Sequence, residues 1–123
     1  MKKNKNKLLI ELINNQRIDA NSEKKFSLKE ITRLCNNITT SIFDENECCL
    51  WRGYISNLKN GRDKYINFYY KGNKYALHRL LYLNYVDDLK KNEYLKYTCK
   101  NKGICCNINH IKKTFKILKY NSL

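Results

Sequence analysis

The chain has 123 residues, with 25 lysines and arginines against 11 acidic residues, a formal net charge of +14, six cysteines and no proline. That length supports one domain with a modest core, and no apolar run is long enough to cross a bilayer as a helix. So dense a positive charge repels itself and is relieved by a polyanion. Nucleic acid is therefore the expected partner, DNA ahead of RNA; an acidic protein surface is the chief competitor, and no membrane partner is expected. Heavy use of Lys, Asn, Ile and Tyr also fits an AT-rich coding bias, so a lysine does not by itself mark a contact.

The start, MKKNKNKLLIELINN, is basic but has only a short apolar stretch, interrupted by Glu11. It suits an amphipathic helix better than a secretory signal. Six cysteines without an export signal predict an intracellular, reducing compartment: cytoplasm, nucleus or the virion of a large DNA virus. There, metal ligation is favoured over disulfides. Leu8, Leu9, Leu12 and Ile13 recur at helical spacing and predict a helix over 7–18. Ser27 and Glu30 then form a capping-box pattern ahead of LKEITRLCNNI, a second helix with Leu28, Ile31, Leu34 and Cys35 inward. Residues 1–44 are read as an N-terminal helical segment and 45–123 as the domain that carries the chemistry.

From FDENECCLWRGYI the composition changes to apolar and aromatic residues alternating with polar ones, which predicts a strand. SNLKNGRDK is read as a loop tip and YINFYY as a second strand, with Tyr65, Asn67 and Tyr69 on one face and Lys64, Ile66, Phe68 and Tyr70 on the other. KGN supplies a turn and KYAL a returning strand. LHRLLYLNYV has helical spacing through Leu77, Leu80, Leu81 and Leu83. DDLKKNEY is read as a loop or ragged helix, and the segment from about Ile108, including IKKTFKILKY, as a final helix with Lys112, Lys113, Lys116 and Lys119 along one stripe. The expected class is α+β.

YTCKNKGICCNINH, residues 97–110, holds three cysteines and a histidine. Zinc takes four soft or borderline ligands at tetrahedral positions. Cys99, Cys105 and His110 offer three, with Cys106 as an alternative to Cys105, and the fourth is expected from the distant pair Cys48 and Cys49. Such a site has no open position, so the zinc is expected to be structural. Cys35, in an apolar helical setting, is read as core.

The pattern CCLWRG, LHRLLY and YTCKNKGICCNINHI resembles the zinc-containing branch of the HNH, or His-Me finger, endonucleases, closest to the His-Cys box homing enzymes. The likeness runs from about Cys48 to Ile111. It implies a small zinc-stabilised ββα-metal core with a β-hairpin, and Cys48, Cys99, Cys105 and His110 as the zinc ligands. Asn107 matches the family's Asn, and Ile108 stands in place of its Pro. Two catalytic positions depart from the family. Its general base is a histidine two residues before the equivalent of Cys99, and here that residue is Tyr97, whose phenol, with an ordinary pKa of about 10, is a poor base near neutrality. The Asn that holds a catalytic Mg²⁺ falls at Lys119, with Asn121 two residues on as a weak substitute. The resemblance thus implies a nucleic-acid-binding protein on an HNH-like fold with the cleavage chemistry degenerate. An active metal-dependent DNA endonuclease is the first alternative. A structural or docking subunit of a larger nucleic-acid or virion complex, or a homodimer, is the second.

By the same resemblance a β-ribbon enters a groove of nucleic acid. Arg52, Lys59, Arg62, Lys64, Lys71 and Lys74 are then candidates for phosphate contacts and Asn57 and Asn67 for base edges, while Arg79 reaches the phosphate at the former cleavage site.

Overall fold

Both N-terminal helices form where the apolar spacing puts them. In the computed structural model, which describes residues 4–57 and 63–115, α1 spans Lys5–Asn14 and α2 spans Leu28–Cys35. The Asn4 side chain caps α1 by accepting from the Asn6 N–H at 2.7 Å, and the helix stops at a pair of asparagines, which compete with the helical backbone for hydrogen bonds. It is thus shorter than the expected 7–18. Leu8 and Leu12 are buried while Ile13 is exposed, so the inward stripe is one residue pair narrower than expected. In α2 the Glu30 carboxylate accepts from the Ser27 N–H at 2.7 Å, as the capping pattern requires. Ile31, Leu34 and Cys35 are buried, but Leu28, the first helical residue, faces solvent. Lys5 from α1 donates to the carbonyls of Cys35 and Ile38, placing a cation at the negative end of α2.

The strands are β1 (Ser56–Asn57), β2 (Lys64–Tyr65), β3 (Asn67–Tyr70), β4 (Asn73–Ala76), β5 (Glu93–Tyr97) and β6 (Ile111–Phe115), with α3 (Leu77–Tyr85) between β4 and β5. They pair antiparallel as three two-stranded units, β1–β2, β3–β4 and β5–β6. Much of FDENECCLWRGYI is irregular rather than a strand. The β3–β4 turn is Lys71-Gly72, with φ of 50° and 78°. Positive φ at both central residues is the type I′ pattern that matches the twist of a hairpin. The β3 faces alternate as expected: Phe68 and Tyr70 are buried and Tyr69 is exposed.

The C-terminal segment corrects the expectation of a final helix. After a short 3-10 turn at Ile108–His110 the chain forms β6, registered on β5 from Glu93↔Phe115 to Tyr97↔Ile111. Ile111, Thr114 and Phe115 suit a pleated surface, and cross-strand pairing overrides the helical spacing of the lysines. Lys112 and Lys113 consequently point to opposite faces, and Lys113 pairs with Asp87 at 3.2 Å and Glu93 at 3.5 Å. Within the described residues Lys112 and Lys113 do not share a stripe; Lys116 and Lys119 lie outside the described residues. The described residues form a small α+β fold of three α-helices and small antiparallel hairpins, as the expected class requires.

One core joins the parts. Leu8, Leu12, Ile31 and Leu34 share it with Trp51, Phe68, Leu77, Leu80 and Leu81. Asn84, fully buried on α3, fixes the loop between α1 and α2 to that helix. Its Oδ1 accepts from Gln16 Nε2 at 2.9 Å and the Phe26 N–H at 2.8 Å, and its Nδ2 donates to the carbonyls of Lys24 at 3.0 Å and Leu80 at 2.8 Å. Replacing the amide would leave buried partners without hydrogen bonds. Asn84→Leu is expected to cost about 3 kcal/mol, read in thermal melts as a fall of about 10 °C or more; a change of a degree or two would show that the amide is dispensable.

Candidate metal centre

The cluster begins with backbone pairing between two distant segments. The Trp51 N–H donates to the Ile104 carbonyl at 3.0 Å, the Cys106 N–H donates to the Cys49 carbonyl at 2.6 Å, and Leu50 bridges Cys105. Side chains alternate along extended backbone. On each segment one cysteine therefore faces the core and its neighbour faces away. Cys49 and Cys106 take the core side, and both are buried. Cys49 Sγ sits 3.2 Å from the Thr40 carbonyl, and burial, first of all, pushes its thiol up to about 11. Cys48 and Cys105 take the other side, where they meet Cys99 and His110.

The ligand atoms of Cys48, Cys99, Cys105 and His110 all lie within 4.8 Å of one another, close enough to hold a metal ion. His110 Nδ1 is 3.4 Å from Cys48 Sγ and 3.5 Å from Cys105 Sγ. Bond lengths to zinc of about 2.3 Å for sulfur and 2.0–2.1 Å for nitrogen put tetrahedral S···N edges at about 3.5 Å, so the spacing is compatible with zinc. Burial pushes the Cys105 thiol up to about 12; backbone hydrogen bonds with Asn107 and Cys49 oppose this, and the nearby thiols of Cys99 and Cys48 add to it. Thiols so placed resist ionising together, and a dication among them reverses that balance.

The surrounding loops are fixed by two residues. Gly103 has a φ of 84°, and a Cβ there would lie 1.9 Å from the Lys64 carbonyl oxygen, so the knuckle between Cys99 and Cys105 can pass β2 only as glycine. Asn107, fully buried, holds the acidic loop that leads into Cys48. Its Nδ2 donates to the carbonyls of Asp44 at 2.8 Å and Glu47 at 2.7 Å, its Oδ1 accepts from the Asn109 N–H, and its own N–H points at Cys105 Sγ at 3.4 Å.

Tyr97 ends β5 beside this cluster. Burial, then the thiols of Cys106, Cys105 and Cys99, hold its phenol above the ordinary range. The α3 ring that meets it is His78, with centroids 5.3 Å apart; burial and then Arg79 pull that imidazole down to about 4, leaving it neutral at pH 7. Arg79 instead lines a separate cavity of about 650 Å³ with Asp19, Lys24, Tyr75 and Asp88, and no cluster residue or Tyr97 lines it. Arg52, Lys64, Lys71 and Lys74 are exposed and Asn67 is half-buried, while Asn57 is exposed at the end of β1. Lys59, Arg62 and Asn121 lie outside the described residues. The sequence reading missed Lys100 and Lys102. They line a depression of about 340 Å³ with Asp63, Lys64, Tyr97 and Gly103, and their position inside the CKNKG knuckle was the available signal.

Asn107→Ala removes three side-chain hydrogen bonds and is expected to cost about 3 kcal/mol, with metal affinity falling about 10- to 100-fold. Urea unfolding and competition against a chromogenic chelator measure the two effects. Gly103→Ala is expected to lower both stability and affinity through the clash with β2. Wild-type metal affinity in either variant would show that these loops do not position the ligands.

Over 112 residues the chain is 50% identical to an uncharacterized protein of Acanthamoeba polyphaga mimivirus. The match takes in 90% of this chain and 33% of that protein, so the chain spans about a third of the length of the curated relative it matches. No family model matches the sequence. No solved structure matches it at a significant level. Among the described residues no helix is long and apolar enough to cross a membrane.

Proposed function

We propose that this chain is a nucleic-acid-binding domain in which a structural zinc ion, held by Cys48, Cys99, Cys105 and His110, fixes a basic surface on an HNH-like scaffold that no longer cleaves. One observation carries the reading. Lys64, Lys100 and Lys102 line a single depression with one acidic residue, Asp63, and two of the lysines come from the knuckle between Cys99 and Cys105, so its charged lining is net positive. Lysines in such a depression suit a phosphodiester backbone, and the net charge of +14 supplies the long-range attraction. Tyr97 lines the same depression. A phenol there can donate a hydrogen bond to phosphate but is a poor base for activating water near neutrality.

A second reading, a cleaving enzyme that uses Mg²⁺, is favoured by His78. This neutral imidazole packs against Tyr97, where the resembled enzymes place their base. A plasmid-nicking assay with Mg²⁺ or Mn²⁺ separates the two. The expected result is no metal-dependent cleavage by the wild type, and either none or newly gained cleavage in Tyr97→His. Cleavage by the wild type that disappears in His78→Ala would establish the second reading instead.

For binding, fluorescence anisotropy at low salt is expected to show duplex DNA bound with a steep salt dependence. Lys100→Gln and Lys102→Gln should each lower the slope of log K against log salt by about 0.9. Elemental analysis should give one zinc per chain. Retention should fall as pH falls, because protons compete for the thiolates and the imidazole. Full folding after exhaustive chelation, or no binding of any nucleic acid at low salt, would overturn the proposal.

A further inference from the structure

The outward face of the β3–β4 hairpin carries a second candidate surface, built from residues outside the metal cluster. Tyr69 and Asn67 lie on the outer side of β3, and Lys74 stands directly opposite Tyr69 across the ladder. Two adjoining cavities, of about 130 and 320 Å³, share Trp51, Asn67 and Tyr69 as lining. Arg33 and Asn37 extend the first, and Tyr54, Ser56 and Lys74 extend the second. Tyr54 is 84% exposed and Tyr69 is 62% exposed, so two large rings stand in water along one groove. Arg33 lies over the Phe68 ring at 4.0 Å and donates to the Tyr69 carbonyl, which holds its guanidinium at the groove edge. The Trp51 indole Nε1 is buried without a hydrogen-bond partner among the described residues.

Aromatic faces alternating with an amide, a hydroxyl and fixed cations form a pattern with a specific chemical match. Rings offer stacking to any nucleobase, Asn67 can both donate to and accept from a base edge, and Lys74 and Arg33 suit the phosphates between bases. An apolar protein surface would gain nothing from the cationic edge that Lys74 and Arg33 give the groove. Bases inside a duplex are stacked on one another and cannot lie on these rings. We propose that the groove holds unpaired nucleotides, stacked on Tyr54 and Tyr69, separately from the lysine depression. This inference rests on the reading of the chain as a nucleic-acid-binding domain, and it names the strand state that this face selects.

The test is anisotropy at low salt with a labelled single-stranded DNA, the same sequence as RNA, and the duplex. The wild type is compared with Tyr54→Ala/Tyr69→Ala, Tyr54→Phe/Tyr69→Phe and Lys100→Gln/Lys102→Gln. Both tyrosines are exposed, so the variants are expected to fold, which circular dichroism checks. The alanine pair should weaken single-strand binding by about tenfold for each ring lost while changing duplex binding by less than about twofold. The phenylalanine pair should bind like the wild type, because it keeps the rings. The lysine pair should weaken both probes. Trp51, the single tryptophan, should change its emission on adding single strands to the wild type and not to the alanine pair. Equal loss on single strand and duplex, no loss in the alanine pair, or wild-type binding to duplex alone would overturn the groove while leaving the nucleic-acid reading standing. Failure of the wild type to bind any of the three probes would remove both and leave the groove to a protein partner. Preference between the DNA and RNA strands identifies which sugar the groove accepts.

Discussion

The fold around the cluster depends on the backbone pairing that seats residues 48–51 against residues 104–106. Without the bonds from Trp51 to Ile104 and from Cys106 to Cys49, Cys48 would belong to a loose acidic loop far along the chain from its partners. With them, two extended segments run side by side and each sorts an adjacent cysteine pair, one thiol into the core and one out toward His110. Ionising the clustered thiols together would carry an electrostatic cost. Protons relieve it in the absence of metal, and a bound dication would relieve it by ligating the thiolates, so metal binding and the loop geometry would support one another. A small domain whose described residues form short helices and two-stranded sheets gains more from such a linkage than a larger protein would.

Much of this was legible from the residues. The Ser27 and Glu30 cap, the Lys71-Gly72 turn, the alternating faces of β3 and the leucines of α3 are local signals, and each forms as its chemistry dictates. Type and spacing gave Cys99, Cys105 or Cys106, and His110, and left the fourth ligand open between Cys48 and Cys49; the choice of Cys48 and Cys105 agrees with what the resemblance implies. What failed was governed by distant partners. IKKTF has helical lysine spacing, but β5 offers it a ladder, and the start of β5 lies in DDLKKNEY, a charged stretch read as a loop or ragged helix. In the structure Glu93 is buried and meets Lys113 at 3.5 Å, a pairing that no local pattern announces. Leu28 and Ile13 failed for a simpler reason: a short helix has few inward positions, and its end residues fall outside them.

Tyr97 ends β5 beside the cluster, where burial and the nearby thiols hold its phenol above the ordinary range. The pairing of Tyr97 with Ile111 and the bond from the Thr98 N–H to the His110 carbonyl hold residue 97 beside Cys99. A phenol there has the hydrogen-bonding reach of an imidazole but lacks its titration near neutrality. His78 brings an imidazole to the vicinity from α3; burial keeps it neutral, and its ring is tilted against the phenol ring. In the proposed reading Tyr97, which lines the depression with the knuckle lysines, would donate a hydrogen bond to a bound phosphate.

The distribution of charge then separates the two proposed surfaces by mechanism. Lysines on the knuckle act on any phosphate backbone, so they confer affinity that salt weakens and that ignores base pairing. Rings on the β3–β4 face act only where bases are free, so they confer a preference that salt weakens less. The curated relative is about three times as long as the match, so in a longer polypeptide such a domain would add its contacts to those of its neighbours. A weak, general phosphate grip and a weak, strand-selective stack are each sufficient in that setting, because linked sites multiply in effect. The metal cluster matters to both: it shapes the knuckle directly, and through the Trp51–Ile104 pairing it places the tryptophan that lines the groove.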